Sequence, residues 1–435
     1  MSQSLLQTTQ AEQSALAASL GVAIPELYIP RTGIDLSRWA VVACDQYTSQ
    51  PEYWQRSEAL VGDAPSTLRL VLPEIYLEHP GDTPVESRIA RINQTMAEYL
   101  DQGVLVPLAP GCMIIDRETR LHPSRKGWLI AIDLERYDFT PGNRELTRAT
   151  EGTVLDRIPP RQAIRKDALL ELPHVQLLID DPDRTVIEPL YAALSQEVPL
   201  YATELAQEGG SVRGWHVPSD NTLLGTALKA LGQLASLKDY GLLFAVGDGN
   251  HSLATAKAHW NSIKSEVAPD HPARYALAEI INIHDQGLDF EPIHRSVFNV
   301  EFERFLDHAD RFFKKQRAAM DRPEQALNQH VPVYGPGFKT DLSVPLLPGD
   351  LLVGAIQAML DDLVVRHPDV RLDYIHGEEV VQELSGKGAV GLILPPLEKS
   401  EFFGIIARDG ILPRKTFSMG EAFEKRYYFE SRRIR

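Results

Sequence analysis

The sequence predicts a fold between the α/β and α+β classes, built on mixed sheets. Three observations point there. Short apolar runs rich in Val, Ile and Leu alternate with stretches of helical period. Two of those runs, in "GCMIIDRE" and "KGWLIAIDLERYDF", lie close enough to pair as antiparallel strands. A third, Leu242 to Val246, runs into a Gly-rich turn and then directly into a helical stripe.

From the N-terminus, residues 9–20 are Ala-rich and polar and read as a short exposed helix. "WAVVAC" reads as a buried strand that ends in the polar cluster Asp45-Gln46-Tyr47-Thr48-Ser49. In "ESRIARINQTMAEYLDQG", Ile89, Ile92, Met96 and Leu100 share a helical face, and Gly103 suits the stop. "PHVQLLIDDPD" is a strand closed by a turn, and "GGSVRGWHVPSD" has turn composition around a short strand. "NTLLGTALKALGQLASLKDYG" is helical. "RYALAEIINIHDQG" supplies a second strand and completes a strand–helix–strand unit from Gly241 to His284. Further on, "FERFLDHADRFFKKQ" and "GDLLVGAIQAMLDDLVVRH" are helical. "VRLDYIHGEEVVQEL" leads from strand to helix, and "AVGLILPP" is a strand. The terminal "RRIR" reads as a surface tail. This division gives an N-terminal extension over 1–20, a main body over 21–300, and a C-terminal α/β region over 301–435 packed on it.

The chain has 435 residues, 43% of them hydrophobic and 24% charged, with a formal net charge of -16. Such a surface repels phosphate backbones and anionic lipid, so neither nucleic acid nor membrane is expected as a partner. The two cysteines, Cys44 and Cys112, form no CxxC pair and suit a reducing compartment. Met1 to Gln13 carry no basic region followed by an apolar run, and no apolar run is long enough for a bilayer. A cytoplasmic location is expected, and self-association stays open.

The chemistry concentrates in "FAVGDGNHSLATAKAHW". Leu253, Ala256, Trp260, Ile263 and Val267 form the helical stripe, so the first turn falls near Asn250 to Ser252. A helix start offers unpaired backbone N–H groups and the positive end of the dipole. Gly247 and Gly249 let that backbone approach a ligand, and an anion such as phosphate is the natural guest. His251 can donate to it. Asp248 can hold Mg²⁺ or take a proton. The plain alternative is a helix capped by Asn250 or Ser252, with His251 packed. Gly247-x-Gly249-x-x-Ser252 falls one glycine short of the dinucleotide fingerprint, and Asp285 lies late for the ribose acid. GxxxxGK[ST], HExxH and GxSxG are absent.

Other segments carry candidates too. "ATEGTV" holds Glu151 and Thr153, "GLDFEPIHR" holds His294 and Arg295, "DYIHGEE" holds His376, and "LPRKTF" holds Lys415 and Thr416. Taken with "DGNHSLATA" and in this order, these motifs resemble the family known as domain of unknown function 1015, from about Pro25 to the C-terminus. The Asp-Gly-x-His start of the helix is in turn similar to the phosphate turn of ParB/sulfiredoxin-like proteins. That group includes CTP-binding partition proteins, ATP-using sulfiredoxins and free-serine kinases. The resemblance implies a ParB/sulfiredoxin-like core. It also implies a phosphotransferase that uses ATP or ADP with Mg²⁺ on a small hydroxylated metabolite such as free serine. On that reading Gly247, Gly249, Asn250, His251 and Ser252 cradle phosphate, with Arg295 and Lys415 as cations. Asp248 or Glu151 holds the metal or acts as base. Asp45, Gln46 and Tyr47 border the site, and His294, His376 and Thr153 are further candidates. The family's arginine after the histidine is Ser252 here, so a forked phosphate grip is missing. Arg295, Lys257 or Lys415 is expected to replace it. Arg161 and Arg165, at a helix start, are expected to pair with surface acids. Two other readings remain: a nucleotide or metabolite sensor without rapid turnover, and a dinucleotide-dependent oxidoreductase.

Overall fold

The computed structural model describes residues 3–78, 81, 83–413 and 415–435. They form two compact units. The first comprises Met1–Asp289, Ile406–Gly410 and Gly420–Arg435, and the second Phe290–Ile405 and Ile411–Met419. The boundary expected after residue 300 thus falls after Asp289, and the end of the chain returns to the first unit.

The first unit is built on a mixed sheet of ten strands. Its path runs Tyr201–Leu205, Gly210–Pro218, Gly111–Glu118, Arg125–Asp133, Tyr275–Asn282, Gln176–Ile179, Phe244–Asp248, Thr147–Arg148, Tyr137–Asp138. Val22–Ala23 pairs with Arg125–Asp133 off this path. The central strands are apolar on both faces because both are covered. In Gly111–Glu118, Cys112 and Ile114 enter one core while Met113 and Ile115 enter the other. Trp128, Ile130 and Ile132 join the first core and Leu129 the second, as the two-residue strand period requires. The expected antiparallel pair is present, with Ile114 opposite Trp128.

Several sequence expectations change in three dimensions. The strand–helix–strand unit from Gly241 to His284 is not a parallel crossover. Gln176–Ile179 lies between its two strands, antiparallel to Phe244–Asp248 and parallel to Tyr275–Asn282. Tyr275–Asn282, the strand that a dinucleotide fingerprint would place parallel beside Phe244–Asp248, is therefore not its neighbour. In "WAVVAC", Trp39 ends the short helix Leu36–Trp39, and the buried residues 40–43 make only an isolated bridge, Val42 to Tyr427. Their backbone partners are residues of the C-terminal segment: Ala43 N–H donates to Arg426 at 2.8 Å, and Tyr428 N–H to Val41 at 2.9 Å. "NTLLGTALKALGQLASLKDYG" splits into helices Thr222–Leu231 and Ala235–Tyr240 around Gly232. "GGSVRGWHVPSD" carries a nine-residue strand, Gly210–Pro218. The first helix begins upstream of the expected one and spans Gln3–Ser19.

The terminal "RRIR" is no surface tail. Arg432 is 6% and Ile434 3% exposed. Arg432 Nε donates to Glu171 Oε1 at 2.8 Å, and its guanidinium also reaches the Pro272 carbonyl at 3.1 Å. Arg165 pairs with the other Glu171 oxygen, so its acid is buried and not on the surface. Burial alone would raise the Glu171 carboxyl, but Arg432 and Arg165 together hold it below the usual range.

The second unit has a five-stranded antiparallel sheet, Phe338–Leu346, Leu327–Gly335, Val390–Leu392, His294–Phe298, Arg371–Ile375. Helices Phe302–Ala318 and Leu352–Arg366 cover it through Phe305, Phe313, Ile356 and Met359, which close its core with Val297 and Val333. No helix among the described residues is long and apolar enough to cross a membrane.

Burial of these ionisable groups has two measurable consequences. Replacing Glu171 by Ala strands two arginines, and urea denaturation is expected to show a loss of about 3–5 kcal/mol. Burial also lowers the pKa of His216, His251, His259, His294 and His308. Below an ordinary histidine pKa of about 6.5 the unfolded chain therefore binds more protons than the native one, and stability falls as pH falls. The denaturation midpoint is expected to be lower at about pH 5.5 than at about pH 7.5, the loss beginning near 6.5.

Candidate functional site

Strand direction assembles the site. Phe244–Asp248 and Thr147–Arg148 run parallel, so the segments after them leave the sheet at the same end. Gln176–Ile179 runs antiparallel to Phe244–Asp248, so the residues that precede it, His174 and Val175, lie at that end too. A register shift between Val246 and Asp248 leaves Gly247 unpaired and re-aims the chain beyond it.

The helix Asn250–Ile263 starts from Gly249, which adopts φ 81° and ψ 28°. That left-handed conformation favours glycine, and a Cβ there would stand 3.0 Å from Val175 Cα. No side-chain oxygen caps this helix. The N–H groups of its first turn have no carbonyl one turn earlier to bond. Asn250 is not the cap: its Oδ1 accepts from Thr150 N–H at 3.2 Å, tying the neighbouring loop to the turn. Thr150 Oγ1 donates to the Val246 carbonyl at 2.6 Å and locks the same loop to the strand. Ser252 is half-buried on the first turn.

His251 reaches the same loop. Val154 N–H donates to its Nε2 at 3.2 Å, which leaves the proton of the neutral ring on Nδ1. Burial lowers its pKa first, and the nearby Arg157 and Arg161 add to that, with Asp45 opposing. Glu151 and Thr153 sit half-buried between Thr150 and Val154. Thr153 Oγ1 is buried without a hydrogen-bond partner.

Asp248 is paired with Lys425, Nζ to Oδ2 at 3.4 Å. Lys425 was not legible as a site residue, because it arrives from the far end of the chain. The one signal was its place in "EKRYYFE", where three aromatic residues in a row mark a segment that must be buried. Tyr428 from the same segment accepts from Cys44 N–H at 3.0 Å and contacts His174 Nδ1 at 2.8 Å. It thereby ties Cys44, next to Asp45, to His174 beside Gly249. Burial pushes the Cys44 thiol up, and Asp45 and Glu74 reinforce this. Gln46 Nε2 donates to Asp45 Oδ1 at 3.0 Å. Tyr47, at φ 53°, stacks on Tyr53 with ring centroids 3.7 Å apart. Burial pushes its hydroxyl up to about 12. Arg161 Nε donates to Glu74 Oε1 at 2.7 Å, and both are largely buried.

Of the cations expected to replace the missing motif arginine, Lys257 and Arg295 have partners of their own. Lys257 donates its Nζ to the Leu134 carbonyl at 2.7 Å and is 8% exposed. Arg295 belongs to the second unit and is fully enclosed there. It donates to Gln357 Oε1 at 3.1 Å and the Lys415 carbonyl at 3.0 Å, and lies 4.6 Å from the Tyr374 ring centroid. These contacts all lie within that unit. His294 is buried and accepts from Leu394 N–H at 3.1 Å. His376 and Lys415 are exposed on the second unit, and Thr416 donates to the Pro413 carbonyl at 2.5 Å. The structure thus gathers Asp45, Gln46, Thr153, Asp248, Gly249, Asn250 and His251 in the first unit, and places His294, Arg295, His376 and Lys415 in the second.

Among the described residues no group of three or more His, Cys, Asp or Glu side chains is placed to hold a metal ion. The Lys425 ammonium already lies on Asp248.

Among curated proteins no sequence matches the chain. Solved structures with a related course are more distant. Free serine kinase in complex with AMP matches at 11% identity and a TM-score of 0.36, covering 70% of this chain and 92% of that one. A conserved hypothetical protein from Pyrococcus furiosus matches at 10% identity and a TM-score of 0.33, covering 69% and 94%. SbnI with a C-terminal truncation, from Staphylococcus aureus, matches at 9% identity and a TM-score of 0.32, covering 67% and 82%. At such values shared chemistry does not follow. The match in sequence is firmer: the family model described as "Protein of unknown function (DUF1015)" spans residues 28–352. With that span covering well over half of its length, the chain belongs to the DUF1015 family.

Proposed function

We propose that the first unit binds the phosphate groups of a nucleotide at the Asp248–Ser252 turn and transfers a phosphoryl group to a small hydroxylated metabolite. The observation that carries this is the uncapped helix start at Gly249 with Lys425 beside it. Backbone N–H groups and a lysine ammonium at one place form the donor set that a phosphate accepts. Lys425 replaces the guanidinium that the family motif carries at Ser252. His251 adds an Nδ1–H donor while neutral, its state over the physiological range because burial lowers its pKa.

Asp45 and Glu151 are the carboxylates left for the acceptor. We assign Asp45 as the base that takes the acceptor hydroxyl proton as the oxygen attacks phosphorus. The leaving nucleotide phosphate departs with its charge opposed by Lys425 and the helix dipole. Mg²⁺ enters this reading only as the ion that accompanies nucleotide phosphates, since no protein cage awaits it among the described residues. Free serine is the first acceptor to try, on the strength of the sequence resemblance.

Phosphorus NMR with ATP or ADP, Mg²⁺ and a pool of hydroxy-metabolites including L-serine tests the reading. A new phosphomonoester resonance is expected. Nucleotide line broadening without one would replace transfer by sensing, and unchanged spectra would remove nucleotide binding. In calorimetric titrations, Lys425→Met is expected to weaken nucleotide binding by about tenfold or more, the worth of a charged hydrogen bond. Asp45→Asn is expected to lower kcat by about 10²-fold or more while the nucleotide Kd stays within about twofold.

A further inference from the structure

A second cluster of cations lies within the first unit, on residues that the proposed reaction does not use. Arg117 and Arg125 face each other across the antiparallel pair Gly111–Glu118 and Arg125–Asp133. Glu279 reaches over Gly127 of the latter strand, where any Cβ would collide with its carboxylate. Arg426, from the C-terminal segment, closes over them. These four side chains, with Tyr427 and Phe429, line a pocket with room at its centre for one water-sized guest.

The charges in this space do not balance. Arg117, Arg125 and Arg426 are 5%, 4% and 5% exposed. Two buried carboxylates answer them. Glu279 lies 3.5 Å from Arg426 and accepts from Gln176 at 3.3 Å, and Glu430 pairs with Arg426. Arg117 donates to the carbonyls of Gly209 and Phe423. Arg125 makes no side-chain hydrogen bond or ion pair among the described residues, and its Nε is buried without a partner. A buried guanidinium in that state is strongly destabilising unless something neutralises it. The Arg117 pKa falls to about 9, through burial first and then the proximity of Arg125, as expected of an undercompensated cluster.

We propose that the space among Arg117, Arg125 and Arg426 is a structural site for a monatomic anion, with chloride as the guest. Water satisfies donors but brings no charge, and a phosphate or carboxylate exceeds the central room. The anion takes the free donors of Arg125, while Glu279 stays turned to Arg426 and Gln176. Because Arg426 comes directly after Lys425, the site also anchors the segment that carries the lysine on Asp248.

Thermal unfolding of the full chain, titrated from potassium gluconate into potassium chloride at constant ionic strength, tests this. A saturable rise in Tm of about 1 °C or more is expected for the unmodified protein, as linkage to native-state binding requires. Bromide is expected to substitute for chloride. Arg125→Met is expected to abolish the rise. Should that variant fail to fold, Arg125→Lys keeps the charge, drops the forked donors and is expected to weaken the response. An unmodified protein that melts alike in chloride and gluconate overturns the proposal. So does a chloride response that persists undiminished in the Arg125 variants.

Discussion

The return of the C-terminal segment into the first unit is the constraint on which the rest depends. Gly420–Arg435 brings Lys425, Arg426 and Arg432 into largely buried surroundings, each next to an acid from elsewhere in the chain or from the segment itself. Lys425 meets Asp248, Arg426 meets Glu279 and Glu430, and Arg432 meets Glu171. Buried ions are tolerable only when paired and hydrogen-bonded, so neither the sheet nor the segment keeps its charges satisfied without the other. Tyr427, Tyr428 and Phe429 add apolar surface to the same core. The turn at Gly249 is therefore completed only when Gly420–Arg435 is in place.

The site itself arises from backbone direction more than from any unusual side chain. A parallel neighbour and an antiparallel neighbour on the two sides of Phe244–Asp248 bring three chain segments to one end of the sheet. Asn250 and Thr150 then join two of them, and Tyr428 joins the third to the extended segment that ends at Asp45. A single glycine, Gly249, turns the strand into the helix and leaves the helix start open. The positive end of a fourteen-residue helix and a lysine then act on the same point.

The partners they meet distinguish basic residues that the sequence presents alike. Arg295 and Lys257 give their donors to carbonyls and an amide, so their charge serves packing. Lys425 keeps its ammonium beside the Asp248 carboxylate at the turn. Arg125 differs from both, with a buried charge and no ion-pair partner among the described residues.

The sequence by itself determined the elements whose signals are local. Ile89, Ile92, Met96 and Leu100 marked the helix Val85–Asp101, the paired runs around Ile114 and Trp128 marked the antiparallel strands, and "FAVGDGNHS" marked the strand, the turn and the helix start. Periodicity and turn chemistry act over a few residues, so they are readable in one dimension. Only the tertiary structure decided that residues 40–43 of "WAVVAC" run extended and bridge to the C-terminal residues, that Gln176–Ile179 separates the two strands of the expected unit, and that Arg432 and Ile434 of "RRIR" are buried. It also decided that Lys425 stands at the turn and that Lys257 gives its ammonium to a carbonyl. These outcomes rest on pairings between residues far apart in the chain. Whether a charged side chain is solvated or buried depends on which distant partner the fold supplies, and no local pattern encodes that.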